Sequence, residues 1–396
     1  MVAPAPSPSS VRPLAAVLVA VASAAVAAWW PGATAGPIVL VAWGLLVAAL
    51  RPDHGSGRAL LVAAILVRVP LFFAEPRWSD DVWRYVWEGQ VWRAGFNPFT
   101  DAPDSPTLAH LRDAVWARVN HREVSTIYPP LAQALAAALP TVLAWKLVMG
   151  ACDVGTAWIL HRHRGPAGWL WALLPLPALE SAGSGHLEGA GLLCTALALA
   201  GRPVFAWLGA MVKLLPGVLL VRAGWRMWVA ATIATGLALV PMWSPSLLRG
   251  FETYRAVWAY NGSVYPLVCL VLDEPVARRV LQGIGVLVVA AILWRSRDPG
   301  RIAVWTFGAF VILSPTVHPW YVLWPLLAAL WNGQRAWTVL AVLVPITYVV
   351  LGSYDAATST WVEPVWPRWV VYPVFYAALG WEGWRGLTRA GPGGVG

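Results

Sequence analysis

Charged side chains are scarce in this sequence. Only 12% of its 396 residues are Asp, Glu, Lys or Arg, whereas 59% are hydrophobic. A soluble domain carries about 25% charged residues, so this chain lacks the polar surface needed to cover a soluble core. The scarcity of charge therefore argues against an ordinary soluble protein and favours a membrane protein.

Cysteine is scarce as well, and several common signatures are absent. Cys152, Cys194 and Cys269 all lie in apolar segments, and their spacing fits neither a disulfide framework nor a metal site. We expect them to be small buried hydrophobic side chains. The sequence has no internal repeat and no Gly-rich phosphate-binding loop, so it lacks the marks of a repeat protein and of a nucleotide-binding site.

Long apolar runs are what the sequence does contain, for example at 14–30, 38–50, 228–240 and 337–351. A membrane-spanning helix needs about 20 mostly apolar residues, and these runs do not alternate as barrel strands would. We predict an all-α, polytopic bundle of about twelve spans. Three proline-marked segments are expected to enter the membrane without crossing it: 128–139, 203–221 and 263–272.

The predicted transmembrane domain covers residues 13–386, with disordered tails at 1–12 and 387–396. Its first run follows one arginine and contains ASAAVAA, which resembles a cleavage region, so a signal peptide is one alternative. The run ends in Trp29-Trp30-Pro31, however, which is typical of a membrane interface and favours a retained span.

Basic residues indicate the orientation, because Lys and Arg collect in short cytoplasmic loops. The basic positions place both termini inside: Arg12, 51–58, 161–164, Arg202, 222–226, 295–301, Arg335, Arg385 and Arg389. The net charge of +9 is then a topology signal, and we expect no nucleic-acid partner. The longest polar stretch, 75–127, falls outside and holds eight of the nineteen acidic residues.

Within this outer loop, RWSDDVWRYVWEG at 77–89 concentrates the acidic side chains. Ser79 is a suitable N-cap for a helix over 80–92. Helical spacing puts Asp81, Tyr85 and Glu88 on one face and predicts an Asp80–Arg84 ion pair. One interpretation is an amphipathic surface helix anchored by tryptophan; the other is a general base at the mouth of a cavity.

Further along the loop, 106–119 has apolar side chains at helical spacing, which suits an interfacial helix: Leu108, Leu111, Val115 and Val119.

Other polar clusters are expected on the same side of the membrane. They contribute Tyr128, His186, Glu188, Asn261, His318 and Tyr321.

Ionisable residues also occur inside apolar runs, where they usually face a cavity or a partner: Arg68, Asp153 and Lys213. Arg68 could instead extend its side chain to the interface. The stretch MVKLLPG predicts a helix break at Lys213.

These residues carry a resemblance to a known family. SDDVWRYVWEGQVWRAGFNPF resembles the first-loop motif of GT-C glycosyltransferases that use polyprenyl-phosphate sugars, above all the actinobacterial mannosyltransferase-like members. The stretches YPPL, GHLEG, KLLP and HPWY recur in the same order, so the resemblance covers residues 58–332. Glu88 stands where family members often have Asp, and Phe99 where they often have Tyr, which leaves the sugar open.

The resemblance implies an integral membrane enzyme that moves a sugar, with mannose expected, from a polyprenyl-phosphate donor to a lipid-linked or glycan acceptor. The transfer would occur on the extracytoplasmic face with inversion. Asp81 would be the general base, with Asp80 as its rival. The implied substrate-binding residues are Arg84, Tyr85, Glu88, Asn97, Tyr128, His186, Glu188, Lys213, Asn261, His318 and Tyr321.

Two alternatives accompany this reading. We expect no cofactor and no metal, because Arg84 lies one helical turn from Asp80 and would pair with that carboxylate. The alternative is a Mg²⁺ ion, since Asp80, Asp81 and Glu88 offer the oxygen ligands that Mg²⁺ prefers. A flippase or other transporter of lipid-linked saccharides would also place charge near broken helices. The acidic outer loop and the lack of a repeat favour the enzyme.

Overall fold

The computed structural model describes residues 8–29, 32, 35–50, 52, 55–355, 357–358 and 360–390. These residues form helices joined by turns, and their only β structure is three isolated bridges. The predicted all-α class is confirmed.

The α-helices of the described residues are numbered in chain order. They are α1 (Pro8–Trp29), α2 (Ala35–Leu50), α3 (Gly57–Phe73), α4 (Asp81–Arg93), α5 (Pro130–Ala138), α6 (Val142–Arg164), α7 (Pro166–Leu173), α8 (Pro175–Ala178), α9 (Glu188–Leu199), α10 (Val204–Val212), α11 (Trp225–Leu239), α12 (Arg249–Val257), α13 (Tyr265–Val268), α14 (Glu274–Arg295), α15 (Pro299–Leu313), α16 (Leu323–Asn332), α17 (Ala336–Leu343) and α18 (Trp366–Ala390). A π-helical turn covers Leu179–Gly183, and 3-10 segments cover Pro106–Leu111, Trp116–Arg118, Leu215–Arg222, Val240–Met242, Pro319–Val322 and Val344–Ser353.

Four helices of the described residues are long and apolar enough to cross a membrane. They are α6, α14, and the helices α11 and α17 with the 3-10 segments that continue them. Shorter apolar helices lie at Pro13–Trp29 and in α2, α9 and α15. This fits a helical membrane protein, and the count of about twelve spans stays a prediction.

The three segments expected not to cross the membrane contain only short helices. Helices α5 and α10 have nine residues each and α13 has four. Because an α-helix rises 1.5 Å per residue, nine residues reach about 14 Å, roughly half of the hydrocarbon thickness. Helix α10 ends at Lys213, whose backbone is extended, so the predicted break is confirmed.

The core of the bundle contains a buried ion pair between α3 and α6. Arg68 Nε lies 2.7 Å from Asp153 Oδ2, and Asp153 also accepts hydrogen bonds from Trp171 and Ser181. Arg68 therefore has a buried partner and does not extend to an interface. Helix α1 packs on α2 and α3 through alanines at four-residue spacing, among them Ala16, Ala20 and Ala24.

Several local predictions differ from the structure. Helix α1 begins at Pro8 and α18 ends at Ala390, so helix extends into both predicted tails; residues 1–7 and 391–396 lie outside the described residues. The three cysteines are free but only partly buried. The helix expected at 106–119 is two short 3-10 segments. Its apolar side chains pack on Trp87 and Val91 of α4, so their partner is α4.

Candidate active site

A cavity of about 450 Å³ lies where α4, the rest of the loop 75–127 and the 3-10 segment Pro319–Val322 meet. Most of the predicted site residues line it: Asp80, Asp81, Arg84, Tyr85, Tyr128, Lys213, His318 and Tyr321. Glu88, Asn97, His186, Glu188 and Asn261 are not among its lining residues. The cavity thus joins clusters that lie far apart along the chain.

Asp80 and Asp81 share one hydrogen-bond donor at the start of α4. The side-chain amide of Asn120 donates to Asp80 Oδ1 at 2.7 Å and to Asp81 Oδ1 at 2.9 Å. Asp80 also accepts from the Tyr354 hydroxyl. Asp80 occupies the cap position predicted for Ser79, while the Ser79 hydroxyl accepts from the Asp81 amide at 3.2 Å. Both carboxylates are therefore held at defined positions in the cavity wall.

The environment of Asp81 makes it harder to ionise than an ordinary aspartate. Burial, reinforced by the neighbouring charge of Asp80, raises the pKa of Asp81 to about 6. The hydrogen bond from Asn120 and the charge of Lys213 act in the opposite direction. Asp81 is thus a carboxylate at neutral pH whose proton affinity is higher than usual. A general base works best when its pKa lies near the working pH.

The expected Asp80–Arg84 ion pair is wrong, because Arg84 pairs with Glu88 one turn further on. Arg84 Nε lies 3.0 Å from Glu88 Oε1, and the other guanidinium nitrogens donate to the backbone carbonyls of Asn120, His121 and Val124. The loop that folds over α4 supplies these carbonyls. Arg84 thereby fixes the segment that presents Asn120 to the two aspartates.

Glu88 is buried behind the cavity. Its Oε2 accepts from Thr126 at 2.8 Å and from Gln133 at 2.7 Å, and burial raises its pKa above the usual range. Glu88 therefore joins α4 to the loop and to α5. No group of three His, Cys, Asp or Glu side chains that could hold a metal occurs in the described part of the chain.

His186 lies directly behind Asp81 and is fully buried. Its Nδ1 is 3.8 Å from Asp81 Oδ2 and 3.4 Å from the Tyr85 hydroxyl, and its Nε2 is 3.5 Å from Glu180 Oε2. Its ring stacks on Trp320 at 4.1 Å. Burial lowers the pKa of His186 well below its ordinary value, so the imidazole is neutral at pH 7.

Lys213 brings a positive charge to the cavity, in addition to those of Arg77 and Arg84. Its ammonium pairs with the buried Glu188 and lies 4.7 Å from the centre of the Tyr321 ring. The Tyr321 hydroxyl is 2.6 Å from that of Tyr254. His318 stacks parallel to Trp320 at 4.4 Å, and burial lowers its pKa to about 3. One wall is therefore aromatic and uncharged apart from Lys213.

Asn97 and Asn261 hold loops in the structure. The Asn97 side chain donates to the Met242 carbonyl and accepts from the Phe99 amide, both at 3.0 Å. Asn261 has φ +48°, and its backbone N–H donates to Glu363 Oε1 at 2.8 Å. Neither asparagine lines the cavity, so a role for either in substrate binding stays a prediction.

The sequence analysis missed Asn120, Glu180, Tyr254 and Tyr354. Glu180 could have been found, because it is an acidic residue in an apolar run, the criterion that selected Asp153. Tyr254 lies in TYRAVWAYNGS at 253–263, one of the polar clusters expected at the cavity, but was not singled out there. Asn120 and Tyr354 have no local signal and reach the cavity only because the loop 75–127 and a distant segment fold over α4.

Comparison with known proteins gives consistent matches. Residues 262–379 match the MptB C-terminal domain family. The chain is 23% identical over 382 residues to alpha-(1->6)-mannopyranosyltransferase A of Mycobacterium tuberculosis, covering 79% of this chain and 73% of that protein. It is 27% identical over 393 residues to a probable alpha-(1->6)-mannopyranosyltransferase of Mycolicibacterium smegmatis, covering 90% of this chain and 66% of that protein. The names of these relatives support a glycosyltransferase. No solved structure matches the chain.

Proposed function

We propose that this glycosyltransferase moves mannose from a polyprenyl-phosphate donor to a lipid-linked or glycan acceptor at the extracytoplasmic face of the membrane. The names of both relatives support mannose as the sugar. The observation that carries the proposal is Asp81, a carboxylate of raised pKa that lines a cavity also holding a cation. Because both relatives are named as transferases, an enzyme is favoured over the flippase.

Asp81 acts as the general base. The acceptor hydroxyl gives its proton to the Asp81 carboxylate while its oxygen forms a bond to the anomeric carbon of the donor. The bond from that carbon to the phosphate oxygen breaks on the opposite side, so the configuration inverts. Asp80 is less available for this step, because it accepts from Tyr354 as well as from Asn120.

Lys213 binds the phosphate of the donor. Its ammonium lies in the cavity lining, and the leaving polyprenyl phosphate is anionic and needs a positive partner. Glu188 and the Tyr321 ring hold the ammonium in place. Leu214, the next residue, lines the cavity and is largely exposed, which suits contact with the first units of a lipid tail.

A transfer assay with purified protein tests the proposal. Radiolabelled polyprenyl-phosphate mannose and a mannoside acceptor should give a glycosidic product, whereas labelled GDP-mannose should not. Asp81→Asn protein, purified in parallel, should form little product. Movement of the donor across a vesicle membrane without a new glycosidic bond would show a flippase and overturn the proposal.

A further inference from the structure

A second cavity, of about 370 Å³, opens on the outer loop. Its polar, charged and aromatic lining residues are Asp104, Arg112, Trp116, Arg122, Glu123 and Thr358. None of these residues belongs to the first cavity, and nothing in the proposed transfer step uses them. The second cavity is polar, in contrast to the aromatic wall beside His318.

The two cavities share their walls. Along the segment 119–124, Asn120, His121 and Val124 line the first cavity, while Arg122 and Glu123 line the second. A second segment behaves in the same way, because Tyr354 and Trp361 line the first cavity while Thr358 lines the second. Residues of both segments therefore lie between the two cavities.

The arginines of the second cavity are held in place before any ligand binds. The guanidinium carbons of Arg112 and Arg122 lie 4.7 and 4.5 Å from the centre of the Trp116 ring. Arg112 donates to the Asp104 carbonyl at 2.6 Å, and Arg122 Nε donates to the Val119 carbonyl at 3.1 Å. Groups that are already ordered lose little conformational entropy on binding.

The charges of the second cavity favour a neutral polyhydroxyl ligand. Two guanidinium groups are matched by the carboxylates of Asp104 and Glu123, so the cavity has no net charge with which to select a phosphate. Guanidinium groups only donate hydrogen bonds and carboxylates only accept them. A sugar hydroxyl does both, so a saccharide satisfies both kinds of group.

We propose that the second cavity is an acceptor subsite, which binds the sugar units of a glycan behind the unit that is being extended. This inference rests on the proposed function, because it needs the reacting hydroxyl of the acceptor at Asp81. The acceptor chain then passes over the wall formed by 119–124. The preferred acceptor is a chain of several neutral sugars, and a single sugar on a lipid leaves the subsite empty.

Two acceptors test this subsite: an alkyl monomannoside and an alkyl tetramannoside. The wild-type kcat/KM should be higher for the tetramannoside. Arg112→Ala and Arg122→Ala should each lower the ratio of the two kcat/KM values about tenfold or more, because each removes a hydrogen bond from a charged group to the acceptor. Arg118→Ala is the matched control. Arg118 lies on the same loop but pairs with Glu75 and stacks on Trp83, outside both cavities, so the ratio should stay at its wild-type value.

Direct binding separates failure of the subsite from failure of the proposed function. Asp81→Asn protein should bind the tetramannoside more tightly than the monomannoside by calorimetry, and adding Arg112→Ala and Arg122→Ala together should remove the difference. Equal wild-type kcat/KM values, with transfer intact, would overturn the subsite and leave the proposed function standing. Absence of transfer to either acceptor would overturn the proposed function, and the subsite with it.

Discussion

Asp80 and Asp81 share the amide of Asn120 but differ in their other neighbours, and this difference sets their expected roles. Asp81→Asn should lower kcat at least about a hundredfold, since a general base contributes about 10²- to 10⁴-fold. The donor KM should remain near the wild-type value, because Lys213 still binds the phosphate. Asp80→Asn should have a smaller effect, because it weakens only the contacts with Asn120 and Tyr354.

Initial rates at saturating acceptor, with donor concentration varied, give both constants for each variant. Size-exclusion profiles and thermal unfolding of the same preparations show that the proteins are folded. If Asp80→Asn abolishes transfer while Asp81→Asn remains active, the roles are reversed. If both variants are active, neither aspartate is the base.

The raised pKa of Asp81 predicts the pH dependence of transfer. Only the ionised carboxylate accepts a proton, so the rate should rise with pH and reach half of its plateau at about pH 6. Asn120→Asp should move this midpoint upward by about one unit or more, because it replaces a hydrogen-bond donor with a third carboxylate.

Rates of wild type, Asn120→Asp and Glu274→Gln from pH 5 to 9 provide the measurement. Glu274 is exposed and does not line the cavity, so Glu274→Gln should keep the wild-type midpoint. A wild-type rate that falls with rising pH through pH 6 would mean that an acid, and not a base, limits transfer.

At the scale of elements, the helix break after α10 places Lys213 in the cavity. The chain is extended at Lys213 and continues in the 3-10 segment Leu215–Arg222, with Pro216 near its start. If Lys213 binds the donor phosphate, Lys213→Ala should raise the donor KM about tenfold or more. The kcat should change much less, since Asp81 is unaltered.

Removal of Lys213 also leaves Glu188 buried without its ion-pair partner, which destabilises the fold. Lys213→Ala combined with Glu188→Gln removes that unpaired charge and should restore stability, but not donor affinity. Lys213→Arg keeps the charge and should retain most of the affinity. A wild-type donor KM in the folded double variant would remove Lys213 from the donor site.

Elements fixed by local chemistry were predictable from the sequence, and those fixed by long-range packing were not. Helix α4 runs over Asp81–Arg93, one residue from its predicted range, because the acidic residues and Ser79 mark its start. The predicted ion pair with Asp80 failed because Arg84 has Glu88 one turn away and three carbonyls from a loop about forty residues later in the chain. Local spacing contains no information about that loop.

For the whole molecule, the decisive arrangement is the convergence of distant polar clusters on one cavity. The residues that line this cavity are spread along the chain from Pro76 to Trp361. Their convergence was predicted only from the argument that the polar clusters lie on one side of the membrane. The same argument placed His186, Glu188 and Asn261 in the lining. The structure puts His186 and Glu188 directly behind it and Asn261 in a loop contact.

The side of the membrane is the remaining prediction for the whole molecule. The arginine-rich loops indicate that 75–127 is extracytoplasmic and that 295–301 is cytoplasmic. Both cavities would then face outward, since Asp81 and Asp104 lie in 75–127. In a cysteine-free background, Asp104→Cys should react with a membrane-impermeant maleimide in right-side-out vesicles. Arg297→Cys should react only in inside-out vesicles.

Both positions are exposed in the fold, so a difference in labelling reports the side of the membrane and not burial. Detergent-solubilised protein should label at both positions, which controls for reactivity, and retained transfer activity shows that the background is folded. Labelling of Asp104→Cys from the cytoplasmic side alone would invert the topology. The acceptor would then have to be a cytoplasmic glycan, because Asp81 and the second cavity are built on the same loop as Asp104.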